Sequence, residues 1–199
     1  MRLIMIRHGQ TEWNLQRRIQ GWLDSRLTDS AVLRLNKMIL PTLQSPLLFS
    51  SDLGRASATA NIIAKRIHVP VKLDKRLRER GFGILEGKIV DSDPALEQYW
   101  KEYHQRYQRK MSQLIGVESE QVLEWRVKEF LAELQNRDIG SDVVIVGHGE
   151  CLRTLSNLVQ DIPSWHYGNG IGNNAESVTL EWLPDVLVDP FNVIKGHCS

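Results

Sequence analysis

The sequence has few cysteines, no long apolar run and no surplus of either charge. Two cysteines, Cys151 and Cys198, among 199 residues are too few for a disulfide scaffold or a cysteine-based zinc site. Lys and Arg total 25 against 24 for Asp and Glu, which leaves a net charge of +1, whereas nucleic-acid-binding proteins usually carry a basic excess. No stretch approaches the roughly 20 consecutive apolar residues of a membrane helix.

What is present is the composition of a folded globular domain, with 42% hydrophobic and 25% charged residues. The apolar run at residues 3–6 is too short for a signal peptide and ends at Arg7. We therefore expect a cytoplasmic protein whose partners include neither nucleic acid nor membrane. The oligomeric state is left open between a monomer and a homodimer.

Short apolar runs alternate with helical patterns along the chain. Buried strands are predicted at residues 3–6, 47–49 and 143–146, and later strands at 177–182 and 191–194. Helices are predicted after Thr28, after Asp52, over residues 93–136 with a break near Gly116, and from about Glu150. The apolar positions assigned to the first three helical regions are Ala31, Leu35, Met38, Ile39, Ala56, Ala60, Ile63, Ile67, Val122, Trp125, Phe130, Leu131 and Leu134.

This alternation of strands and helices predicts an α/β fold, a three-layer α/β/α sandwich around a mostly parallel central sheet. The early strands and the strand at 143–146 are apolar throughout, which favours burial on both faces of the sheet.

Basic and imidazole side chains follow three of the predicted strands. Arg7 and His8 end the first, Arg55 lies shortly after the second, and His148 ends the strand at 143–146. The carboxyl ends of parallel strands share one edge, where open α/β sheets bind ligands. Arginine grips phosphate oxygens in a two-point fashion, and a neutral imidazole with one free ring nitrogen can act as a covalent nucleophile.

A leaving alkoxide needs a proton, and Glu79 is the candidate donor. A carboxyl group whose pKa is raised by its surroundings can supply a proton near neutral pH. Glycines follow Glu79 at positions 81 and 83 and would let the backbone approach the site. An alternative stays open, in which Glu79 is simply ion-paired on the surface with its neighbours Arg78 and Arg80. The histidines outside the motifs show no metal-ligand spacing, so neither a metal nor another cofactor is expected.

The motifs that contain these residues resemble the histidine phosphatase superfamily, the phosphoglycerate-mutase-like group. The most specific match is the opening strand with its Arg-His-Gly motif, which extends to Asn14. The other matching segments are residues 18–28, 50–60, 77–87, 116–119 and 146–153. The resemblance implies a single domain over residues 1–199 with a small helical cap insertion at about 88–116.

The resemblance also implies a role for each site residue. His8 would become phosphohistidine, while Glu79 would protonate the leaving group and then activate water. The remaining residues would hold the phosphoryl oxygens, namely Arg7, Arg55 and His148, or lie against the substrate, namely Asn14, Gln20 and Gly149.

Two positions depart from the family pattern. Residues 29–31 read Asp-Ser-Ala where a glycine is usual, and we expect only a slightly different helix start. Glu150 follows Gly149 where many members have a small residue. This acid would either reduce the positive charge of the pocket or cap the helix. The cap matches nothing specific.

Three functions follow from the resemblance. The first is a metal-independent phosphomonoesterase acting on a small phosphorylated metabolite. The second is a phosphoglycerate mutase, but mutases of this type usually carry a longer insertion that shields the phosphoenzyme, and only about 30 residues separate Gly87 from Val117. The third is a catalytically silent phospholigand sensor, which would need one of the catalytic residues to be missing.

Overall fold

A five-stranded sheet in which four strands are parallel forms the centre of the fold. The computed structural model describes residues 1–111, 116–135, 141–169 and 172–182. The strands are β1 (Arg2–Arg7), β2 (Leu47–Ser50), β3 (Val71–Leu73), β4 (Val143–Gly147) and β5 (Ser177–Glu181). Their order is β3-β2-β4-β1-β5, and β5 pairs antiparallel to β1 at the edge. The predicted mostly parallel sheet is therefore confirmed.

Helices connect the parallel strands. In the described ranges they are α1 (Glu12–Leu15), α2 (Asp29–Lys37), α3 (Gly54–Ile67), α4 (Glu97–Gln105), α5 (Glu120–Gln135) and α6 (Gly149–Val159). Short 3₁₀ turns cover Lys75–Leu77, Gly83–Leu85 and Pro94–Leu96. The Thr28 side chain accepts the Ala31 amide at 3.1 Å, which is the predicted N-cap of α2. None of the described helices has the length and apolar character needed to cross a bilayer.

The sheet is covered on both faces, as its apolar strands predict. Successive strand residues point to opposite faces, so Leu3 and Met5 of β1 pack with α5 and α6, whereas Ile4 and Ile6 pack with α3. Burial of both faces makes the sheet the middle layer of three. It also fixes the register, because a slip of one residue would exchange the two faces of a strand.

Two helix faces differ from the sequence-based assignment. Helix α2 ends at Lys37, and Ile39 beyond it is 90% exposed. On α5, Leu123 and Val127 face the core while Val122 and Trp125 are exposed. The spacing of the apolar residues on α5 allowed either face, and the packing of Leu123 against the sheet selected one.

Three further predictions concern the helix break near Gly116, the cap insertion at 88–116 and the last strand. The predicted break near Gly116 is confirmed, because α4 ends at Gln105 and α5 begins at Glu120. Helix α4 falls inside the predicted cap at 88–116, but the domain boundaries themselves stay a prediction. The strand predicted at 191–194 lies outside the described residues.

Helix α5 offers a test of this packing. Phe130→Ala should lower the free energy of unfolding by about 3–5 kcal/mol, since the ring is buried and packs edge-on against Phe49 with centroids 5.5 Å apart. Trp125→Ala on the opposite face is the matched control and should change stability by no more than about 0.5 kcal/mol. Urea unfolding measures both, and equal losses would contradict this orientation of α5.

Candidate active site

The carboxyl ends of β1, β2 and β4 meet at one edge of the sheet. In the register of these strands Arg7 pairs with Gly147, and Ser50 pairs with Val146. The pairing continues one residue beyond the strands, where the His8 amide donates to the Gly147 carbonyl at 2.9 Å. The residues that follow the three strands therefore lie at the same level along the strand direction, at one edge of the sheet, as the parallel sheet predicts.

A small cavity of about 110 Å³ opens at this edge. Six of the eight residues that the sequence singled out line it: Arg7, His8, Asn14, Gln20, Arg55 and Glu79. The other two lie beside it. The His148 ring is 5.2 Å from the His8 ring between centroids, and Gly149 begins α6. Residues that are far apart in the sequence, such as His8, Glu79 and His148, thus form one site.

The His8 ring is fixed in one tautomer. Its Nδ1 lies 2.8 Å from the Gly9 carbonyl, which can only accept, so Nδ1 carries the hydrogen. Nε2 is then unprotonated and accepts from Nε of Arg55 at 3.3 Å. Burial lowers the pKa of His8 well below its usual value, and the charges of Arg55 and Arg7 lower it further. The site therefore contains a neutral imidazole with its free lone pair in the cavity.

Arg55 is a buried cation rather than a solvated helix residue. Its guanidinium donates to the carbonyls of Gly21 and Leu23, both at 2.8 Å, and pairs with Asp24 at 3.2 Å. Gly21 has a positive φ of 52°, and a Cβ there would collide with the Glu86 carboxylate, so this turn requires glycine. Three groups from one loop thus fix the guanidinium plane beside His8.

Asp24 is a functional residue that the sequence analysis did not assign. Its carboxylate accepts the amides of Gly54 and Arg55 at the start of α3, where the N-cap residue Leu53 has no side-chain acceptor. The same carboxylate pairs with the Arg55 side chain. A leucine side chain cannot accept a hydrogen bond at an N-cap, so Leu53 was the one signal in the sequence that an acceptor from elsewhere in the chain caps α3.

Several polar atoms around the cavity are buried without a partner in the described part of the chain. They are Nε of Arg7, Oε1 of Gln20 and both ring nitrogens of His148. Burial together with Arg55 lowers the pKa of His148 well below its usual value, so this ring is neutral as well. Buried polar groups normally have partners. Nε of Arg7 and the protonated ring nitrogen of His148 can donate, together with Arg55, to the oxygens of a phosphoryl group, whereas Oε1 of Gln20 can only accept a hydrogen bond.

Glu79 points into the cavity, and the alternative of a surface ion pair is wrong. Arg78 pairs with Asp52 at 2.6 Å, and Arg80 pairs with Glu120 instead. Oε1 of Glu79 accepts the amides of Arg80 at 2.9 Å and Glu150 at 3.1 Å. Burial raises the pKa of Glu79, and the nearby charge of Glu150 raises it further. The carboxyl group is thus suited to hold a proton until a base develops in front of it.

Two asparagines shape the rim of the site in different ways. Oδ1 of Asn14 accepts from the amide and the hydroxyl of Thr11, both at 3.0 Å, which orients its amide group at the cavity. Asn174, which the sequence analysis did not assign to the site, donates to the His8 carbonyl at 2.9 Å across 166 residues. The second contact ties the loop before β5 to the backbone of His8.

A wider depression of about 360 Å³ adjoins the cavity and shares Asn14, Arg18, Ile19 and Tyr103 with it. Tyr103 of α4 packs edge-on against Phe82, with ring centroids 5.6 Å apart. Tyr103 also packs edge-on against Trp100 of α4, with ring centroids 6.2 Å apart, so it belongs both to the packing of α4 and to the cavity wall. This depression leaves room for the part of a ligand that extends beyond a phosphoryl group.

Known proteins resemble this chain over most of its length. A probable phosphoglycerate mutase, GpmB of Salmonella paratyphi C (strain RKS4594), is 34% identical over 168 residues, which cover 83% of this chain and 77% of that protein. The solved structure of Bacillus stearothermophilus YhfR has a TM-score of 0.78 at 30% identity and covers 90% of both chains.

A mycobacterial glucosyl-3-phosphoglycerate phosphatase solved in complex with VO3 has a TM-score of 0.74 at 28% identity, covering 90% of this chain and 92% of that chain. The family model that describes the histidine phosphatase superfamily (branch 1) matches residues 3–188. Together with the site at the sheet edge, these matches show that the chain belongs to the histidine phosphatase superfamily, branch 1.

Proposed function

We propose that the protein is a metal-independent phosphomonoesterase of the cytoplasm that hydrolyses a small phosphorylated metabolite through a phosphohistidine at His8. The observation that carries the proposal is the orientation of the His8 ring. Its unprotonated Nε2 faces a cavity that also contains the guanidinium of Arg55 and the carboxyl of Glu79. A nucleophile, a cation and a proton donor are the three groups that phosphoryl transfer from an ester needs.

The first step forms the phosphohistidine. The Nε2 lone pair of His8 attacks phosphorus, and the bond from phosphorus to the ester oxygen breaks. The electron pair of that bond goes to the ester oxygen, which takes the proton of the Glu79 carboxyl and leaves as an alcohol. Glu79 is then a carboxylate, stabilised by the amides of Arg80 and Glu150.

The second step restores the enzyme. The Glu79 carboxylate takes a proton from a water molecule whose oxygen attacks phosphorus from the side that the alcohol left. The bond between phosphorus and Nε2 breaks, and its electron pair returns to His8. The sum of both steps consumes one ester and one water and releases one alcohol and one inorganic phosphate.

The remaining site residues stabilise the transferred group in this proposal. Arg7, Arg55 and His148 bind the phosphoryl oxygens, so the cations of the pocket perform the charge stabilisation that a metal ion provides in other phosphatases. The substrate is positioned by Asn14, Gln20 and Gly149, the last through its place at the start of α6, where amides and the helix dipole favour an anion.

Hydrolysis is favoured over mutase activity. Structural neighbours at 28–30% identity include a phosphatase that acts on a glucosyl-phosphoglycerate, although the curated relatives carry the name of a probable mutase. The cavity opens directly into the wider depression beside it, and this opening admits water to the phosphoenzyme. A silent sensor is not favoured, because all five proposed catalytic residues are present.

His8→Ala should abolish turnover of an aryl phosphate, because it removes the unprotonated Nε2 that lies beside Arg55 in the cavity. Activity of the unchanged protein should survive a chelator, and acid-labile phosphate should be trapped on His8 by mass spectrometry after rapid quenching. His68→Asn, a change at the left-handed C-cap of α3, is the control and should retain activity. A trapped adduct elsewhere, or loss of activity with chelator, would contradict the mechanism.

Glu79→Gln should slow esters with poor leaving groups far more than aryl phosphates. An alkoxide needs the proton of Glu79 when it leaves, whereas a nitrophenolate does not, so a loss of about 100-fold or more is expected for an alkyl phosphate. The measurement compares kcat/KM for p-nitrophenyl phosphate and a primary alkyl phosphate. Equal losses for both esters would remove Glu79 from the acid role.

Acidic pH should leave His8 neutral in the folded protein. Burial and Arg55 lower the pKa of His8, while a histidine in the unfolded chain protonates at about pH 6.5. As the pH falls below 6.5, the unfolded chain therefore binds protons that the folded one does not, and stability decreases. Imidazole ¹⁵N shifts, assigned with His8→Gln, should show Nε2 of His8 unprotonated at pH 5.5; a titration midpoint near 6.5 would refute this.

A further inference from the structure

Glu150 is a buried carboxylate in the first turn of α6, with 3% of its surface exposed. Its carboxylate contacts a set of basic and hydroxyl groups instead of lining the phosphate pocket. Oε1 accepts from Nε of Arg106 at 3.1 Å and from the hydroxyl of Tyr107. Oε2 accepts from Arg153 at 3.2 Å and lies 3.7 Å from Nε of Arg80. Three hydrogen-bond donors and one further guanidinium, from three parts of the chain, thus meet at one acid.

The charge of this acid is permanent over the working pH range. Burial alone would raise the pKa of Glu150, but the guanidinium groups of Arg80, Arg106 and Arg153 outweigh burial and hold the pKa at about 2. A buried ion pair is costly to break when one partner is removed, because the other charge stays buried. The carboxylate is therefore ionised near neutral pH and holds its partners in place.

One set of contacts runs from Glu150 to the cavity wall. The Arg106 guanidinium lies between two aromatic rings, 3.8 Å from the centroid of Tyr103 and 4.2 Å from that of Tyr107. Tyr103 lines the cavity. Glu150 thereby fixes, through Arg106, the side of the cavity that Tyr103 of α4 contributes.

A second set of contacts runs from Glu150 to the proton donor. The Glu150 amide donates to Oε1 of Glu79 at 3.1 Å. The neighbouring Arg80 amide donates to the same oxygen at 2.9 Å, and the Arg80 side chain pairs with the Glu150 carboxylate. Both hydrogen bonds that orient Glu79 thus come from residues joined by the Glu150–Arg80 pair.

We propose that Glu150 is a positioning residue for phosphoester hydrolysis, holding the Glu79 carboxyl and the Tyr103 wall in one arrangement around the leaving-group oxygen. The inference rests on the proposed function, since it assumes that Glu79 delivers a proton there. It assigns a role to the position at which this chain departs from the small residue common in the family. Glu150 itself is expected to touch neither the substrate nor the reacting atoms.

Glu150→Gln is the main test, because it keeps the shape and the backbone amide and removes the charge. For a primary alkyl phosphate, kcat/KM should fall by about 10-fold to 100-fold, as expected when a catalytic group is displaced slightly. For p-nitrophenyl phosphate, whose leaving group needs no proton, kcat/KM, which excludes the hydrolysis step common to both esters, should fall by no more than about threefold. A merely structural role would slow the two esters equally.

Glu120→Gln is the matched control. Glu120 is also buried and also pairs with Arg80, but it belongs to α5. This variant should slow both esters by the same factor, so that their ratio of kcat/KM values stays at that of the unchanged protein. A ratio shifted as far as in Glu150→Gln would show that loss of any partner of Arg80 suffices, and would overturn the role of Glu150.

Tyr107→Phe provides a second test should Glu150→Gln not accumulate as folded protein. It removes one hydrogen bond to Glu150 from the cap side and should lower kcat/KM for the alkyl ester about threefold with the aryl ester unchanged. Equal effects on both esters would overturn the inference. The proposed function is judged separately, by the phosphohistidine on His8 in the unchanged protein, so either idea can fail alone.

Discussion

The hydrogen bond from Nδ1 of His8 to the Gly9 carbonyl is the interaction on which the site depends. It selects the tautomer and so places the lone pair on Nε2, where Arg55 donates to it at 3.3 Å. With the hydrogen on Nε2 instead, two donors would face each other, and Nε of Arg55 would lose its acceptor. Burial keeps the ring neutral, because a protonated imidazole in a buried position beside Arg7 and Arg55 would be strongly disfavoured.

The parallel sheet supplies the second constraint. Since β1 lies between the central strand β4 and the edge strand β5, the segment after β1 emerges beside the end of β4, and β4 brings His148 next to His8. Strand β2 is one position further away, and its contribution, Arg55, reaches the site from the first turn of α3. The long arginine side chain spans the extra distance, whereas the shorter imidazoles come from the adjacent strands.

The parts of the structure that follow from local pattern were predictable, and those that depend on long-range pairing were not. Apolar strands, the Thr28 cap and the meeting of strand ends follow from residue type and spacing alone. The exposed face of α5 did not, because apolar residues occur on both sides of this helix, and only the packing against the sheet buries Phe130 while it leaves Trp125 exposed. Asp24 acts across 31 residues, and no periodicity connects it to Arg55.

Glu79 and Glu150 show how two neighbouring acids acquire opposite properties. Glu150 faces three guanidinium groups and stays ionised, with a pKa of about 2. For Glu79, burial raises the pKa most and the negative charge of Glu150 raises it further, although the charges of Arg55 and Arg7 act in the opposite direction. Titratable groups whose environments separate their pKa values take different roles in a site. The ionised Glu150 carboxylate thus adds to the effect of burial that lets its neighbour Glu79 hold a proton, and this addition depends on the carboxylate at position 150.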